Sequence, residues 1–418
     1  MQRIESKQFK KFFSSNKLLI NCGILAILFL INCITPNFSY ACYISLIIMI
    51  IVSNVEDGFS LCVASIPFCC LNGYISVVSM FICIVVYLFK HYILAIYKHK
   101  KDINKMLLGF MLVVFLYMFC NAREYDMMLF VKILIFFTII FVVYLFVLYP
   151  NAPRLKFNLC LLALMLFVSV VYCLVYYPMV ADTHSFFYID GDFIRFEALL
   201  INPNTLAMIC EVCISLLAYY LLCGEADSLS IMSFVLYSIL GFCTFSKTFL
   251  ILFAIVCMVL FLRALISQPI KSLLWLLGFI VFGVIVYLIA GRFILTYFRR
   301  FIYTDISNLS GNEIFSMVTT TRSDLWITYI KYLFMNPLIM IFGKGLNAKP
   351  ITESAHNVYI SLIYELGIIG TIFLVILVGF IIKLLIESRP QKISKAIFLP
   401  VSILALLMCV EDLIFFLY

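Results

Sequence analysis

The sequence predicts an all-α polytopic membrane protein, a bundle of about 11–13 transmembrane helices with one large extracytoplasmic loop. Three observations lead there. Hydrophobic residues make up 65% of the chain and charged residues 12%, a balance that soluble domains do not show. Apolar stretches of about 20 residues recur along the chain, each long enough to cross roughly 30 Å of hydrocarbon. These stretches do not alternate apolar and polar residues, as the strands of a transmembrane barrel must.

Taken in order, spans are expected at about 18–34, 40–53, 59–71, 75–97, 106–121, 128–149, 157–178, 201–223, 231–245, 249–267, 272–291, 357–382 and 396–417. The run from Leu18 to Ile34 lacks a small-residue cleavage site and reads as a retained helix. The second and third spans are short enough to form a single re-entrant pair instead. Lys and Arg in short loops set the orientation. Arg3, Lys7, Lys10, Lys11 and Lys17 place the amino terminus in the cytoplasm, together with Lys98 to Lys105, Arg154 with Lys156, Arg263 with Lys271, and Lys383 to Lys395. The organisation is then residues 1–178 as amino-terminal helices, 179–291 as further helices with a first external loop, 292–356 as the large extracytoplasmic loop, and 357–418 as the last helices.

The formal charge of +8 comes mostly from these loops, so it reports topology rather than nucleic-acid binding. The 16 cysteines are scattered through apolar runs, with none between Arg292 and His356, which argues against a disulfide framework. Cys210 and Cys213 form a CxxC inside an apolar helix and read as small hydrophobes. The four histidines are dispersed, and no metal site is readable. There is no HExxH, P-loop or GxSxG.

Both external segments carry charge. The first, at about 179–200, holds Asp182, Asp190, Asp192, Arg195 and Glu197. Asp190-Gly191-Asp192 matches the DxD of metal-dependent glycosyltransferases, but a turn explains it better outside the cytoplasm, where nucleotide sugars are absent. The second holds Arg292, Arg299, Arg300, Arg322, Lys331, Lys344 and Lys349 against Asp305, Glu313, Asp324 and Glu353. A basic external loop runs against the usual bias and suits an anion site, although long loops are partly exempt.

Within that loop Ser323 and Asp324 resemble a helix start, and LWITYIKYLF continues to a stop before Pro337. Trp326, Tyr329 and Tyr332 suit an interfacial helix. Arg322 is expected just ahead of its amino terminus, where backbone N–H groups also favour anions. FGKGLN reads as a flexible turn returning toward His356. On a continuous helix Gly367 and Gly370 come back to within roughly 20° and 40° of His356, a smooth face for a neighbouring helix.

Four outward residues can serve chemistry: Arg195, Lys247, Arg322 and His356. Three cations and an imidazole facing one compartment suit a doubly charged phosphate ligand. Structural alternatives stand beside them. Lys247 in FSKTFL can simply snorkel. In NPN, Asn202 can cap a helix that begins at Pro203. Glu211 and Glu365 lie inside apolar helices, where a transporter would use them as ion sites; hydrogen bonding within the bundle is the expected explanation here.

In chain order, RFEALLINPNTLA, FSKTFL, TTTRSDLW with NPLIMIFGKG, and HNVYISLIYELGIIG resemble the O-antigen polymerase (Wzy-type) and O-antigen ligase superfamily. The resemblance covers roughly residues 190–375. Many members carry Arg where Lys247 stands, and Gly commonly where Glu197 or Ala198 stands. It implies a GT-C-like fold with short interfacial helices in the large loop, and metal-independent glycosyl transfer with no cofactor. The donor would be an undecaprenyl-diphosphate-linked oligosaccharide, and the reaction would face the periplasm or exterior of a bacterial inner membrane. His356 would be the base and Arg322 the diphosphate clamp. Arg195, Lys247, Asn357 and Tyr359 would complete the substrate contacts. Expected partners are membrane lipids, a chain-length regulator and a lipid-linked sugar flippase, with no nucleic acid. Polymerisation of repeat units into O-antigen or capsule is the favoured activity. Ligation of polymer to lipid A core is the alternative, and a secondary transporter the third reading.

Overall fold

The computed structural model describes residues 17–32, 39–68, 79, 82–91, 105–121, 154–180, 187–190, 193–200, 202–267, 269–270, 322–346, 348–349, 351 and 355–387. The spans expected at 128–149, 272–291 and 396–417, and the loop from 292 to 321, lie outside these residues.

The described chain is mostly helical. Its elements are α1 (Lys17–Asn32), α2 (Ser39–Val52), α3 (Val55–Ser65), α4 (Ile82–His91), α5 (Lys105–Cys120), α6 (Leu155–Val180), β1 (Phe187–Asp190), β2 (Phe193–Phe196), α7 (Pro203–Cys223), α8 (Ser228–Cys243), α9 (Lys247–Ser267), α10 (Arg322–Met335), α11 (Pro337–Phe342) and α12 (Val358–Glu387). Among the described residues four helices, α6, α7, α9 and α12, are long and apolar enough to cross a membrane. Exposed Ile, Leu, Val and Phe side chains stud the helices, including Leu164, Phe167, Ile251 and Met258. An aqueous surface would hide such a face; a lipid-facing one need not.

The chain divides into two units. The first is Met1–Ile103, Thr138–Tyr220 and Gly224–Ser246; the second is Asn104–Phe137, Leu221–Cys223 and Lys247–Tyr418.

In the first unit α2 and α3 pack together across a two-residue joint, where Asn54 accepts from the Asp57 N–H at 2.7 Å and caps α3. At about 1.5 Å per residue, neither helix alone reaches across the hydrocarbon. Phe29 stacks on Phe68 at 5.0 Å and meets Tyr43 edge-on at 5.6 Å. Arg154, ahead of α6, pairs with Glu56 and Asp57 in the first turn of α3. Lys156 pairs with Asp227 at 2.8 Å and donates to the Glu225 carbonyl, joining the start of α6 to the loop between α7 and α8. The hydrogen bond from Lys156 holds the Asp227 carboxyl below the usual carboxylate range. These charges gather at one end of α7. Arg195 and Thr244 meet at the other, about 30 Å away along a helix of this length.

The hairpin departs from the all-α expectation. FYID and FIRF pair antiparallel, with Tyr188 opposite Arg195 and Asp190 opposite Phe193. Gly191 and Asp192 of the DGD sequence lie outside the described residues. An Asp-Gly between apolar residues was the available signal for the hairpin.

In the second unit α12 is not one straight rod. Gly367 has φ 69° and ψ 178°, which breaks the helix. Helix α11 and the FGKG turn pack into the break. The Lys344 N–H donates to the Tyr364 carbonyl at 2.7 Å and the Gly345 N–H to Glu365 at 3.0 Å. From α5, the Tyr117 hydroxyl donates to the Leu366 carbonyl at 2.7 Å. The carbonyls orphaned by the break are thus paired, as a low-dielectric setting demands. Gly343 is needed for close approach as well as its φ of 85°. A Cβ there would overlap the Glu365 backbone, and one at Gly367 would overlap the backbone of Ile341 and Phe342.

Two expectations change here. FGKGLN is pinned rather than flexible, and its hydrogen bonds meet α12 at Tyr364 and Glu365, about 10 Å along the axis from Val358. Gly367 does not share a continuous helical face with His356, because it ends that face. Gly370, beyond the break, does sit under a neighbour: a Cβ there would strike the Tyr117 ring of α5.

Candidate functional site

In the second unit the chain returns from α11 to α12 over an aromatic floor. Tyr329, Leu333, Ala355 and Tyr364 form a buried cluster. Tyr329 meets Tyr364 edge-on at 5.0 Å, and the Ile351 N–H donates to the Tyr329 hydroxyl at 3.3 Å. Lys344 Nζ donates to the Tyr364 hydroxyl at 2.6 Å and lies over the rings of Tyr332 and Tyr364, 5.5 and 5.1 Å from their centroids. Tyr364 in turn donates to the Lys349 carbonyl at 2.8 Å. Sequence reading counted Lys344 only as loop charge; its place between two tyrosines depends on the break at Gly367.

His356 follows Ala355 of this cluster at the mouth of α12, with φ 46°. That conformation is uncommon outside glycine. It turns the chain just before Asn357, whose side-chain oxygen accepts from the Ile360 N–H at 3.1 Å and caps the helix. Asn357 therefore has a structural duty beside any contact with substrate. Tyr359, the second residue of α12, is 39% exposed.

Arg322 is the first residue of α10 rather than a residue ahead of it, and is half-buried. Trp326 lies one turn further on the same face. Its Nε1 donates to the Ala355 carbonyl at 2.9 Å. This hydrogen bond ties the residue before His356 to the face of α10 that carries Arg322. Trp326 and Tyr329 are thus turned toward the protein, while Ile327, Ile330 and Phe334 are exposed.

In the first unit Arg195, at the end of β2, is 6% exposed. Its Nε donates to the Thr244 carbonyl at 2.8 Å and its Nη2 to Asn204 Oδ1 at 2.6 Å. Asn202 caps α7, accepting from the Asn204 N–H at 2.8 Å, and Pro203 begins the helix. The NPN motif thus does two things: it starts a helix and presents Asn204 to Arg195. Phe245, with φ 52°, ends the turn that presents the Thr244 carbonyl. Lys247, two residues later, opens α9 in the second unit and is half-buried.

Glu197 belongs to the first external segment of the sequence. It is 6% exposed, and its Oε2 has no hydrogen-bond partner among the described residues. Burial pushes its carboxyl up to about 7, against the pull of Arg195.

Glu211 overturns the expectation of hydrogen bonding within the bundle: it is fully buried and neither oxygen has a partner among the described residues. The backbone carbonyl of Glu365 accepts from Gly345 in the break of α12. Cys210 and Cys213 are buried free thiols. No group of three or more metal-ligating side chains occurs among the described residues. No family model, curated protein or solved structure matches the chain.

Proposed function

We propose that this chain polymerises polyprenyl-diphosphate-linked oligosaccharide repeat units on the outer side of a bacterial cytoplasmic membrane. It would be a polytopic, GT-C-like member of the O-antigen polymerase and ligase superfamily. The observation that supports this reading best is the hydrogen bond from Trp326 to Ala355. It draws a guanidinium and an imidazole, 34 positions apart, toward the same end of one helix pair.

The chemistry asks for those two groups. His356 takes the proton from an acceptor hydroxyl as its oxygen forms a bond to the anomeric carbon of the donor. The bond from that carbon to the diphosphate oxygen breaks, and its electron pair leaves with the polyprenyl diphosphate. Imidazole is the side chain most often used as a general base. Arg322 meets the developing negative charge with a two-pronged donor. The Lys156–Asp227 pair and the Arg195–Thr244 contact, at opposite ends of α7, agree with the sidedness of the Lys and Arg anchors. That sidedness puts Arg195 outside.

Deleting the gene is expected to leave cells with single repeat units on their surface acceptor. Long polymer accumulating unattached would assign the ligase reaction instead. Unchanged glycans would remove both readings.

A further inference from the structure

We infer that α10 and α11 form a wedge sunk into the membrane beside α12, and that the acyl chains of the bilayer cover its exposed apolar face. The wedge is independent of the polymerase reading, and all its elements belong to the second unit.

Depth comes from two helices. The Trp326–Ala355 hydrogen bond holds the start of α10 level with the mouth of α12. The FGKG turn after α11 lies deeper, meeting α12 at Tyr364 and Glu365, about 10 Å along the axis from Val358. Asn121, at the end of α5, donates from its side chain to the Phe342 carbonyl at 2.8 Å and accepts from the Leu346 N–H at 3.0 Å. The 16 residues of α5 reach about 24 Å, short of the roughly 30 Å of hydrocarbon. With Lys105 at one boundary, the turn at the other end of α5 stops inside the hydrocarbon. The backbone is paired to match. Residues 343–346 are not helical, yet the N–H groups of Gly343, Lys344, Gly345 and Leu346 all donate to protein carbonyls. Water would serve a surface loop; irregular backbone at membrane depth needs protein partners. The Lys344 ammonium is held the same way, by the Tyr364 hydroxyl and two aromatic rings.

The outward side chains fit that depth. Ile327, Ile330 and Phe334 recur at helical spacing on one exposed flank of α10. On α11, Leu338, Ile341 and Phe342 are exposed. Asp324, Thr328 and Lys331 occupy the next flank of α10. An oblique helix keeps that polar flank at the headgroups, with the Lys331 stem reaching upward, while the apolar flank meets acyl chains. A helix resting on the surface by Trp326, Tyr329 and Tyr332 would present a different flank. Ile368, next to the glycine against which Ile341 and Phe342 pack, is also exposed. The apolar surface of the wedge therefore joins that of α12, a helix apolar enough to cross a membrane.

The test uses the full chain in vesicles whose lipids carry bromine along the acyl chains, with iodide on both sides as the aqueous quencher. Trp275 and Trp326 are the native tryptophans and set the background. One further tryptophan is added at a time, and its emission is the difference from the parent. Phe334→Trp and Leu338→Trp probe the wedge, at positions 71% and 73% exposed. Val375→Trp, on the exposed side of α12, is the lipid reference, and Asp324→Trp the headgroup one. Ile330→Trp replaces whichever wedge variant departs from the parent's size-exclusion profile. The wedge variants should lose as much emission to brominated chains as Val375→Trp, and little to iodide. Asp324→Trp should show the reverse. Loss to iodide without loss to bromine in the wedge variants would put the face in water and overturn the inference. So would resistance to both quenchers, which would mean that protein covers the face, either a second copy or another segment of this chain.

Discussion

His356→Ala is expected to abolish long polymer at matched protein level. Removing a positioned base costs about 10²–10⁴-fold in rate, enough to erase long chains even where short products persist. The φ of 46° at His356 calls for a second variant, because Ala is strained in that conformation. Asn tolerates it and cannot act as the base, so His356→Asn should keep the Asn357 cap and the fold while losing polymer. Arg322→Ala should lose polymer too. Arg322→Lys should recover only part of it, since one ammonium cannot reproduce a bidentate fork. Glycan length on a gel measures all four. Wild-type ladders from both His356 variants would leave His356 a helix-mouth residue with no chemical part.

The second large effect is on folding. Gly367→Ala and Gly343→Ala should each deplete folded protein. Both positions have positive φ, where the backbone strain of a side chain costs about 1–3 kcal/mol. The added Cβ would also lie less than 3.0 Å from backbone atoms of the facing segment, which cannot rotate away. Against a total stability of about 5–15 kcal/mol, that combination is severe. Gly379→Ala is the control on the same helix: nothing lies within 4 Å of its Cβ position, so the substitution should leave the protein intact or slightly stabilised. Size-exclusion profiles and melting temperatures of the tagged full chain report the difference. Equal profiles for Gly367→Ala and Gly379→Ala would mean that the junction does not hold α12 to the FGKG turn.

Helix positions were legible because hydrocarbon leaves little choice. About 20 apolar residues must become a helix there, and the ends of α6, α7 and α9 fall within a few residues of the expected ones. The cap at Asn202 and the start at Pro203 were also readable, since they depend on neighbours in sequence. What escaped was non-local. Gly367 looks like a packing glycine in the sequence. It becomes a helix break only because Lys344, Gly345 and Tyr117 supply donors for the carbonyls ahead of it. Arg195 reads as an outward cation, yet Thr244, 49 residues later, takes its Nε. The orphaned oxygen of Glu197 has no sequence signature. It follows from how the turn after β2 folds into the unit.

Reconstitution tests the central claim most directly. The purified full chain in lipid vesicles, given only a polyprenyl-diphosphate-linked repeat unit, should convert it to a ladder of longer glycans and release polyprenyl diphosphate in step with each new bond. His356→Asn in the same vesicles should release none. If wild type leaves the repeat unit unextended, or moves it across the bilayer unchanged, the chain is not the polymerase described here.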